Sequence, residues 1–377
     1  MPLTREQIAE STGKKLAAAA PSLKSIKALI GLDGFVDEII AVVDKRKSFN
    51  EFEPIKTIGA LGQKILNASG QSSNYELVVK QMKLGGNGPI MANALASFGL
   101  GVTYIGSLGY PGLHTVFQEM AGRAKVISIA EAGHTDALEF EDGKLMLGKI
   151  MALDDVNWAN LLDRVGKDEL YKMVDESVLV GFVNWTMLPH MSDIWEKLRT
   201  EVVPSASKKQ RKFFVDLADP EKRTHKDIED ALKILTKFQG AVDVILGLNL
   251  KEAVEIASVL GLPAAVNAEA AIEETARSIR QKMGIYCCVV HPRSGAAAAT
   301  TTGSARFTGP FVKQPKISTG AGDHFNAGFS LGQVLGFNLE ESLCTGVGTS
   351  GYYVRTGASP TAAQLAEFVE KLPPPQG

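Results

Sequence analysis

A glycine-rich segment that leads directly into a predicted helix constrains this chain more than any other feature. The segment Ser318-Thr319-Gly320-Ala321-Gly322-Asp323 is followed by an apolar run that begins at Phe325. Small residues let a backbone approach a ligand closely, and the free N–H groups at a helix N-terminus attract anions. Asp323 lies at that helix start, where its carboxylate could meet a substrate proton or could only complement the helix dipole. Local chemistry leaves both interpretations open.

Strands and helices alternate along most of the chain. Apolar runs such as Ile26–Gly31 and Ile285–Val290 predict buried strands, and helical patterns separate the later ones. This alternation is typical of a parallel sheet covered on both faces. We therefore predict an α/β fold, a doubly wound and mostly parallel sheet with helices on both faces, as one domain over residues 1–377. Residues 35–57 and 105–150 are predicted to be insertions that form a small β lid.

Charge and cysteine content exclude several classes of function. The 377 residues carry a net charge of −2 without a basic block, so nucleic acid is not an expected partner. Three cysteines, two of them adjacent, cannot form a disulfide framework and suit a reducing compartment. The alanine-rich start is not a signal peptide, and no segment has the apolar length of a membrane span. We expect a cytoplasmic protein with a small-molecule ligand.

Three other patterns have structural explanations that need no function. Asn249, with Glu252 three residues later at a predicted helix start, has the spacing of a capping box. Asp33 and Asp37 follow the first predicted strand and could be turn residues. The segment Gly85-Gly86-Asn87 could simply turn a strand into a helix.

Two common nucleotide-binding patterns are excluded. No glycine-rich loop ends in Gly-Lys-Ser or Gly-Lys-Thr, which excludes a P-loop kinase. Gly346–Gly351 spells a dinucleotide fingerprint, but it lies within the helical pattern Leu339–Val354 and no strand precedes it. These glycines are predicted to permit close packing instead. The six histidines lack metal-site spacing, and His324 is predicted to be a packed neighbour of Asp323.

Taken together, the motifs resemble the signatures of the ribokinase-like (PfkB) sugar kinase family, of which the chain is identified as a divergent member. The resemblance covers roughly residues 26–372, with the motifs in the family's order. The matching motifs are Asp37, Gly85-Gly86, Asn249-Leu250-Lys251-Glu252, Gly295 and Gly320-Ala321-Gly322-Asp323.

This resemblance implies an ATP-dependent phosphotransferase that moves the γ-phosphoryl group to a hydroxyl of a sugar or sugar-like molecule. It implies that Asp323 is the general base and that the loop of Gly320, Ala321 and Gly322 forms an anion hole. The implied substrate-binding residues are Asp37, with Asp33 as a second candidate, Gly85, Gly86 and Asn87. The implied nucleotide-binding residues are Asn249, Glu252, Gly295 and Thr319, and Glu252 would also hold Mg²⁺ through water.

Several positions depart from the family pattern. Ile317 replaces an aspartate associated with a monovalent-cation site, so a K⁺ requirement is not carried over. Ile90 stands where an asparagine often contacts the sugar. His291-Pro292 replaces the family's usual pair of a small polar residue and a glycine before Gly295. A nucleoside kinase of the same fold, or a catalytically weak nucleotide- or sugar-binding regulatory protein, therefore stays open. A monomer and a homodimer formed through the lid are both compatible with the sequence.

Overall fold

The computed structural model describes residues 3–207 and 210–376. These residues form fourteen strands: β1 (Lys27–Leu32), β2 (Phe35–Arg46), β3 (Phe52–Pro54), β4 (Leu77–Gly85), β5 (Gly101–Ser107), β6 (Lys125–Ala130), β7 (Gly133–Phe140), β8 (Gly143–Lys149), β9 (Leu179–Phe182), β10 (Lys212–Asp216), β11 (Asp243–Leu248), β12 (Cys287–Val290), β13 (Gly295–Ala299) and β14 (Ser304–Thr308). They also form thirteen α-helices: α1 (Arg5–Ala19), α2 (Ile58–Asn67), α3 (Asn87–Phe98), α4 (Gln118–Ala121), α5 (Trp158–Val165), α6 (Lys167–Glu176), α7 (Met191–Lys197), α8 (His225–Phe238), α9 (Leu250–Val259), α10 (Ile272–Met283), α11 (Ala321–Val334), α12 (Leu339–Thr356) and α13 (Ala362–Glu370).

Nine strands form the main sheet, in the order β14-β13-β12-β11-β10-β9-β1-β5-β6. Neighbouring strands run parallel from β6 to β12, and β13 and β14 are antiparallel at one edge. From β1 the chain first builds one side of the sheet through β5 and β6, and then the other side from β9 onward. In open α/β sheets, such a reversal opens a crevice at the carboxyl ends of the strands. The predicted doubly wound, mostly parallel sheet is confirmed.

The core is divided between the two faces of this sheet, because successive residues of a strand point to opposite sides. Phe213 of β10 belongs to the core beneath α5 to α10, and its neighbour Phe214 belongs to the core beneath α1, α3, α11, α12 and α13. Cys287 and Cys288 of β12 are separated in the same way. Within the described residues, no helix is both long enough and apolar enough to cross a membrane.

The other five strands form a second sheet. β2 lies between antiparallel β4 and parallel β7, β3 pairs with the end of β2, and β8 pairs with β7. Helix α2 covers part of this sheet through Leu61, which belongs to a small core with Ile40, Val42 and Leu138.

The predicted bounds of the lid differ from this second sheet. β4 lies outside the predicted ranges 35–57 and 105–150 yet belongs to the second sheet, whereas β6 lies inside them and belongs to the main sheet. Only two residues separate β6 from β7, so the chain passes directly from one sheet to the other. A local pattern cannot show which sheet a short strand joins, because that depends on its pairing partner. α5 and α6 lie in a region for which the sequence pattern predicts no helix.

The glycines of the rejected dinucleotide fingerprint lie inside α12, as predicted. A Cβ atom at Gly346 would lie 2.7 Å from the ring of Phe325, and one at Gly348 would lie 2.5 Å from Val369. These glycines therefore allow α11 and α13 to approach α12 closely.

Candidate active site

Polar side chains gather where five neighbouring strands of the main sheet end. They are Asp33 after β1, Asn184 after β9, Asp216 at the end of β10, Asn249 after β11 and His291 after β12. Because the carboxyl ends of parallel strands meet at one edge, residues far apart in sequence become neighbours there. The N-termini of α3 and α11 meet this edge too, since Asn87 contacts both Asp33 and Asp323.

The glycine-rich segment forms the start of α11. Gly320 is the N-cap residue and has a φ of +87°, a left-handed conformation that favours glycine. The amides that follow lie in the first helical turn, where N–H groups have no partner within the helix. The N–H of Ala321 donates to the carbonyl of Ser318 at 3.2 Å, so it would have to share or release this bond to contact an anion.

Asp323 lies in the first turn of α11 and is 8% exposed. Asn87 donates from Nδ2 to Oδ1 of Asp323 at 2.9 Å. Burial, and then the nearby carboxylate of Asp216, raise the pKa of Asp323 well above its ordinary value, although the hydrogen bond from Asn87 lowers it. The result is a carboxylate with a high proton affinity, which is the property of a general base.

Asp33 is fully buried and anchors the start of α3. Its carboxylate accepts hydrogen bonds from the backbone N–H groups of Asn87 at 3.0 Å and Gly88 at 2.9 Å, and from Nδ2 of Asn184 at 2.7 Å. Burial raises the pKa of Asp33 to about 6, although these three bonds oppose the shift. Asp33, the second candidate for substrate contact, thus lies behind Asn87 and Asn184, two side chains that line the cavity beneath the second sheet.

Asp37 lies on β2 and is 6% exposed. Burial raises the pKa of its carboxyl group, and a hydrogen bond with Thr135 and the charge of Lys83 oppose that shift. A Cβ atom at Gly85 would lie 2.4 Å from the carboxylate of Asp37, so glycine is required there. Gly85 therefore makes room for Asp37, and Gly86 lines the cavity.

Asn249 and Glu252 form the predicted capping box at the start of α9. The side chain of Asn249 accepts from the N–H of Glu252 at 3.0 Å, and Glu252 Oε2 accepts from the N–H of Asn249 at 2.8 Å. The other oxygen of Glu252 accepts from the N–H of Asp219 at 2.9 Å. Burial and the charge of Asp216 raise the pKa of Glu252 to about 8.

Asp216 also lies at this site and is not among the site residues predicted from the sequence. Asn326 donates to its Oδ2 at 2.7 Å, and the N–H of Ala218 donates to its Oδ1 at 2.8 Å. Burial raises the pKa of Asp216 to about 6. Its position offered a signal, because Asp216 follows the apolar run Phe213–Val215, and ligands of open α/β sheets bind at strand carboxyl ends.

Three non-glycine residues with positive φ also belong to this region. Asn184, Ala218 and Asp219 have φ values of +62°, +58° and +61°. All three line the cavity beneath the second sheet. Strained backbone of this kind persists where surrounding contacts hold it in place, and it clusters at functional sites. The turn of Ala218 and Asp219 directs its N–H groups to the carboxylates of Asp216 and Glu252.

Two cavities of about 430 Å³ each meet at Asp323. The helix-side cavity lies between α11, α12 and the β12–β13 turn, and the sheet-side cavity lies beneath the second sheet. The residues that line both are Asn87, Ala218, Glu252 and Asp323. Of the four predicted nucleotide-binding residues, Asn249, Glu252 and Gly295 line the helix-side cavity. Thr319 lines the sheet-side cavity and not the helix-side one, and its carbonyl accepts from the Tyr353 hydroxyl at 2.9 Å.

Comparison with known proteins identifies the family. The sequence model of the prokaryotic ketohexokinase family matches residues 5–372. The chain belongs to this family. It is also 30% identical to a ketohexokinase of Haloferax volcanii over 347 residues, which are 91% of this chain and 90% of that protein.

Solved structures of other kinases share the fold. Ribokinase of Arabidopsis thaliana, complexed with ribose and ATP, has a TM-score of 0.62 and 15% identity, over 92% of this chain and 98% of that one. Adenosine kinase of Sinorhizobium meliloti has a TM-score of 0.61 and 20% identity, over 92% and 99%. At these identities the likeness shows the fold alone. The predicted ribokinase-like family is confirmed, and so is the predicted class of enzyme, a sugar kinase.

Proposed function

We propose that the protein is an ATP-dependent ketohexose kinase that moves the γ-phosphoryl group of ATP to a hydroxyl of the sugar. The observation that carries this proposal is the position of Asp323, where the helix-side and sheet-side cavities meet. A phosphoryl donor in one cavity and a sugar hydroxyl in the other would come together at this carboxylate. The similarity to the Haloferax volcanii ketohexokinase supports a ketohexose as the acceptor.

Asp323 acts as the general base in this proposal. Its carboxylate takes the proton of the acceptor hydroxyl while the hydroxyl oxygen attacks the γ-phosphorus and the bond to ADP breaks. Burial and the charge of Asp216 favour the protonated form of Asp323, which makes it a stronger base than a surface aspartate. Asn87 fixes the orientation of the carboxylate by holding Oδ1.

The amides of Gly320, Ala321 and Gly322 form the anion hole. Gly320 is the N-cap residue of α11, and Ala321 and Gly322 are its first two residues. The N-terminus of a helix carries partial positive charge. Phosphoryl transfer is accelerated mainly by positioning and by donors aimed at the developing charge, and backbone amides at a half-buried helix N-terminus supply such donors. Gly320 allows the turn because its φ is positive.

The carboxylates of the site fit a Mg²⁺ ion that is held largely through water. Asn249 and Glu252, whose side chains carry oxygen atoms that can serve as ligands, line the helix-side cavity. The negative charge of the neighbouring Asp216 helps to raise the pKa of Glu252, so a cation at this place would be stabilised. Within the described parts of the chain, no group of three or more His, Cys, Asp or Glu could hold a metal ion by itself. Mg²⁺ commonly keeps several waters and binds through few carboxylates plus phosphates. When bound, the ion would neutralise charge on the transferred group.

The lining of the sheet-side cavity favours a sugar over a nucleoside. Asp37, Asn87 and Thr135 offer acceptors and donors for sugar hydroxyls. Among the described residues that line this cavity, Phe35 is the one aromatic side chain, and it is only 6% exposed. A nucleoside base would gain most from an exposed aromatic face on which to stack.

The test is an assay of the purified protein with MgATP against ketohexoses, aldohexoses and nucleosides, alongside Asp323→Asn. We expect turnover on a ketohexose and a fall in kcat of about 10²–10⁴-fold in the variant. The circular dichroism spectrum should be the same for both proteins, since the substitution preserves shape. A well-folded wild type without turnover on any acceptor would refute the proposal. A preference for a nucleoside would mean that the acceptor is a nucleoside and not a ketohexose.

A further inference from the structure

Two side chains make hydrogen bonds to backbone carbonyl oxygens of the loop of residues 318–322, which we call the Gly320 loop. The Tyr353 hydroxyl donates to the carbonyl of Thr319 at 2.9 Å, and Nδ1 of His324 lies 2.7 Å from the carbonyl of Gly320. These carbonyls belong to consecutive peptide units, which also contain the N–H groups of Gly320 and Ala321, two of the amides assigned to the anion hole. A hydrogen bond to a carbonyl orients its whole peptide plane, and therefore also the N–H group of the next residue.

The hydrogen bonds define the tautomer of His324. A carbonyl oxygen only accepts, so Nδ1 must carry the proton that is donated to Gly320. Burial lowers the pKa of His324 to about 4, which leaves the ring neutral near pH 7 and its Nε2 without a proton. Nε2 lies 2.9 Å from Oγ of Ser359 and accepts from that hydroxyl. His324 thus connects the loop to the segment that follows α12.

The two rings also stack on each other. The centroids of His324 and Tyr353 are 3.6 Å apart, with 13° between the ring planes. Lys316 adds two bonds at the other end of the loop, from its N–H to the carbonyl of Val354 at 2.8 Å and from Nζ to the carbonyl of Thr356 at 3.0 Å. Residues 316–320 are therefore attached along one side to the C-terminal end of α12.

We propose that His324 and Tyr353 are positioning residues for phosphoryl transfer, which fix the peptide planes of Thr319 and Gly320 so that the following amides point at the transferred group. This inference rests on the proposed function of the loop. Neither side chain touches the reacting atoms in this scheme. Because the loop amides must face charge that develops in the transition state, displacement of the loop should affect kcat more than the binding of either substrate.

Steady-state kinetics of Tyr353→Phe, His324→Ala and His324→Asn test this proposal. Each lost bond allows the loop to move, so we expect kcat to fall about tenfold in Tyr353→Phe and about 100-fold in His324→Ala, while both KM values stay within about threefold. His324→Asn should recover about tenfold over His324→Ala, because its amide can donate near the position of Nδ1.

Tyr352→Phe is the matched control. It removes the same hydroxyl from the neighbouring residue of α12, where that hydroxyl makes no hydrogen bond to any residue in ranges 3–207 and 210–376. We expect its kcat to equal that of the wild type. Equal losses in the two tyrosine variants, or a rise in KM with kcat unchanged, would overturn the proposal.

Two further measurements do not depend on turnover, and so separate this proposal from the proposed function. Nitrogen-15 NMR of the imidazoles should show His324 as the neutral Nδ1–H tautomer. Hydrogen–deuterium exchange of the amides from 319 to 322 should be about tenfold faster in Tyr353→Phe than in Tyr352→Phe. An Nε2–H tautomer, or identical exchange in both variants, would contradict the inference even if the wild type is an active kinase.

Discussion

Asn87 and Asp323 are 236 residues apart in the sequence, and Nδ2 of Asn87 donates to Oδ1 of Asp323 at 2.9 Å. The same asparagine donates its backbone N–H to the buried carboxylate of Asp33. One residue therefore joins the N-terminus of α3, the end of β1 and the first turn of α11. The orientation of the proposed base depends on this connection.

Asn87→Ala should lower kcat about tenfold or more, because the carboxylate of Asp323 loses its oriented donor. The hydrogen bond from Asn87 lowers the pKa of Asp323, so its removal should raise that pKa further. A base must be deprotonated to act, and the acidic limb of the kcat/KM profile should therefore move to higher pH. Asn93→Ala, on the same helix, should show neither change. A lower kcat with an unmoved acidic limb would mean that Asn87 acts on some other group.

Asp37→Asn should weaken the binding of the sugar without changing that of ATP. Loss of a charged hydrogen-bond acceptor should raise the KM of the sugar by about 10–100-fold. The matched control is Asp136→Asn, a change on the adjacent strand β7, where Asp136 pairs with Lys149 at 2.7 Å. Isothermal titration with the sugar alone would check the result. Equal effects of the two substitutions would argue that Asp37 only stabilises the second sheet.

Glu252→Gln and Glu341→Gln should separate the capping role of Glu252 from its role toward Mg²⁺. Both glutamates are buried at the third position of an asparagine capping box, with Asn249 and Asn338 as the caps. Each substitution should leave the capping box in place, because a glutamine at this position can also accept the N–H of the cap residue. Only Glu252→Gln should raise the Mg²⁺ concentration for half-maximal activity, by about 10–100-fold. A similar shift in Glu341→Gln would refute the assignment.

The protein without ligands should lose stability as the pH rises from about 5 to about 8. Burial first, and then the charge of Asp216, raise the pKa of Glu252 from an ordinary 4.5 to about 8 in the folded state. A raised folded pKa means that folding favours the protonated acid, so this contribution is complete below the unfolded pKa and disappears as the pH passes through about 8. Asp33 and Asp216, whose pKa values are raised to about 6, should add a further loss of stability at lower pH.

Thermal unfolding across this pH range would measure the effect. Glu252→Gln should flatten the decline of the melting temperature above about pH 6, because glutamine does not titrate. A melting temperature that rises between about pH 6 and pH 8 in the wild type would contradict the raised pKa of Glu252.

Much of the site could be predicted from local sequence. Gly320 to Asp323 at a helix start, the capping box of Asn249 and Glu252, and the strand that ends before Asp33 are all short-range patterns. Each depends on backbone geometry over a few residues, such as a positive φ, a helix N-terminus or a strand end. Local sequence also predicts that Asp33 and Gly85 adjoin the site, but it does not show which way they face.

The sequence by itself determined the fold class, the glycine-rich segment at a helix start and the family resemblance, because periodicity and turn chemistry are local properties. Only the tertiary structure decided which sheet β4 and β6 join, since strand pairing is set by distant partners. It also brought Asp216 beside Glu252 and Asp323, and it turned Thr319 toward the sheet-side cavity. Finally, it gave His324 a defined position between Gly320 and Ser359. A side chain's partners and its pKa depend on burial and on charges from other elements, and the fold alone brings these together.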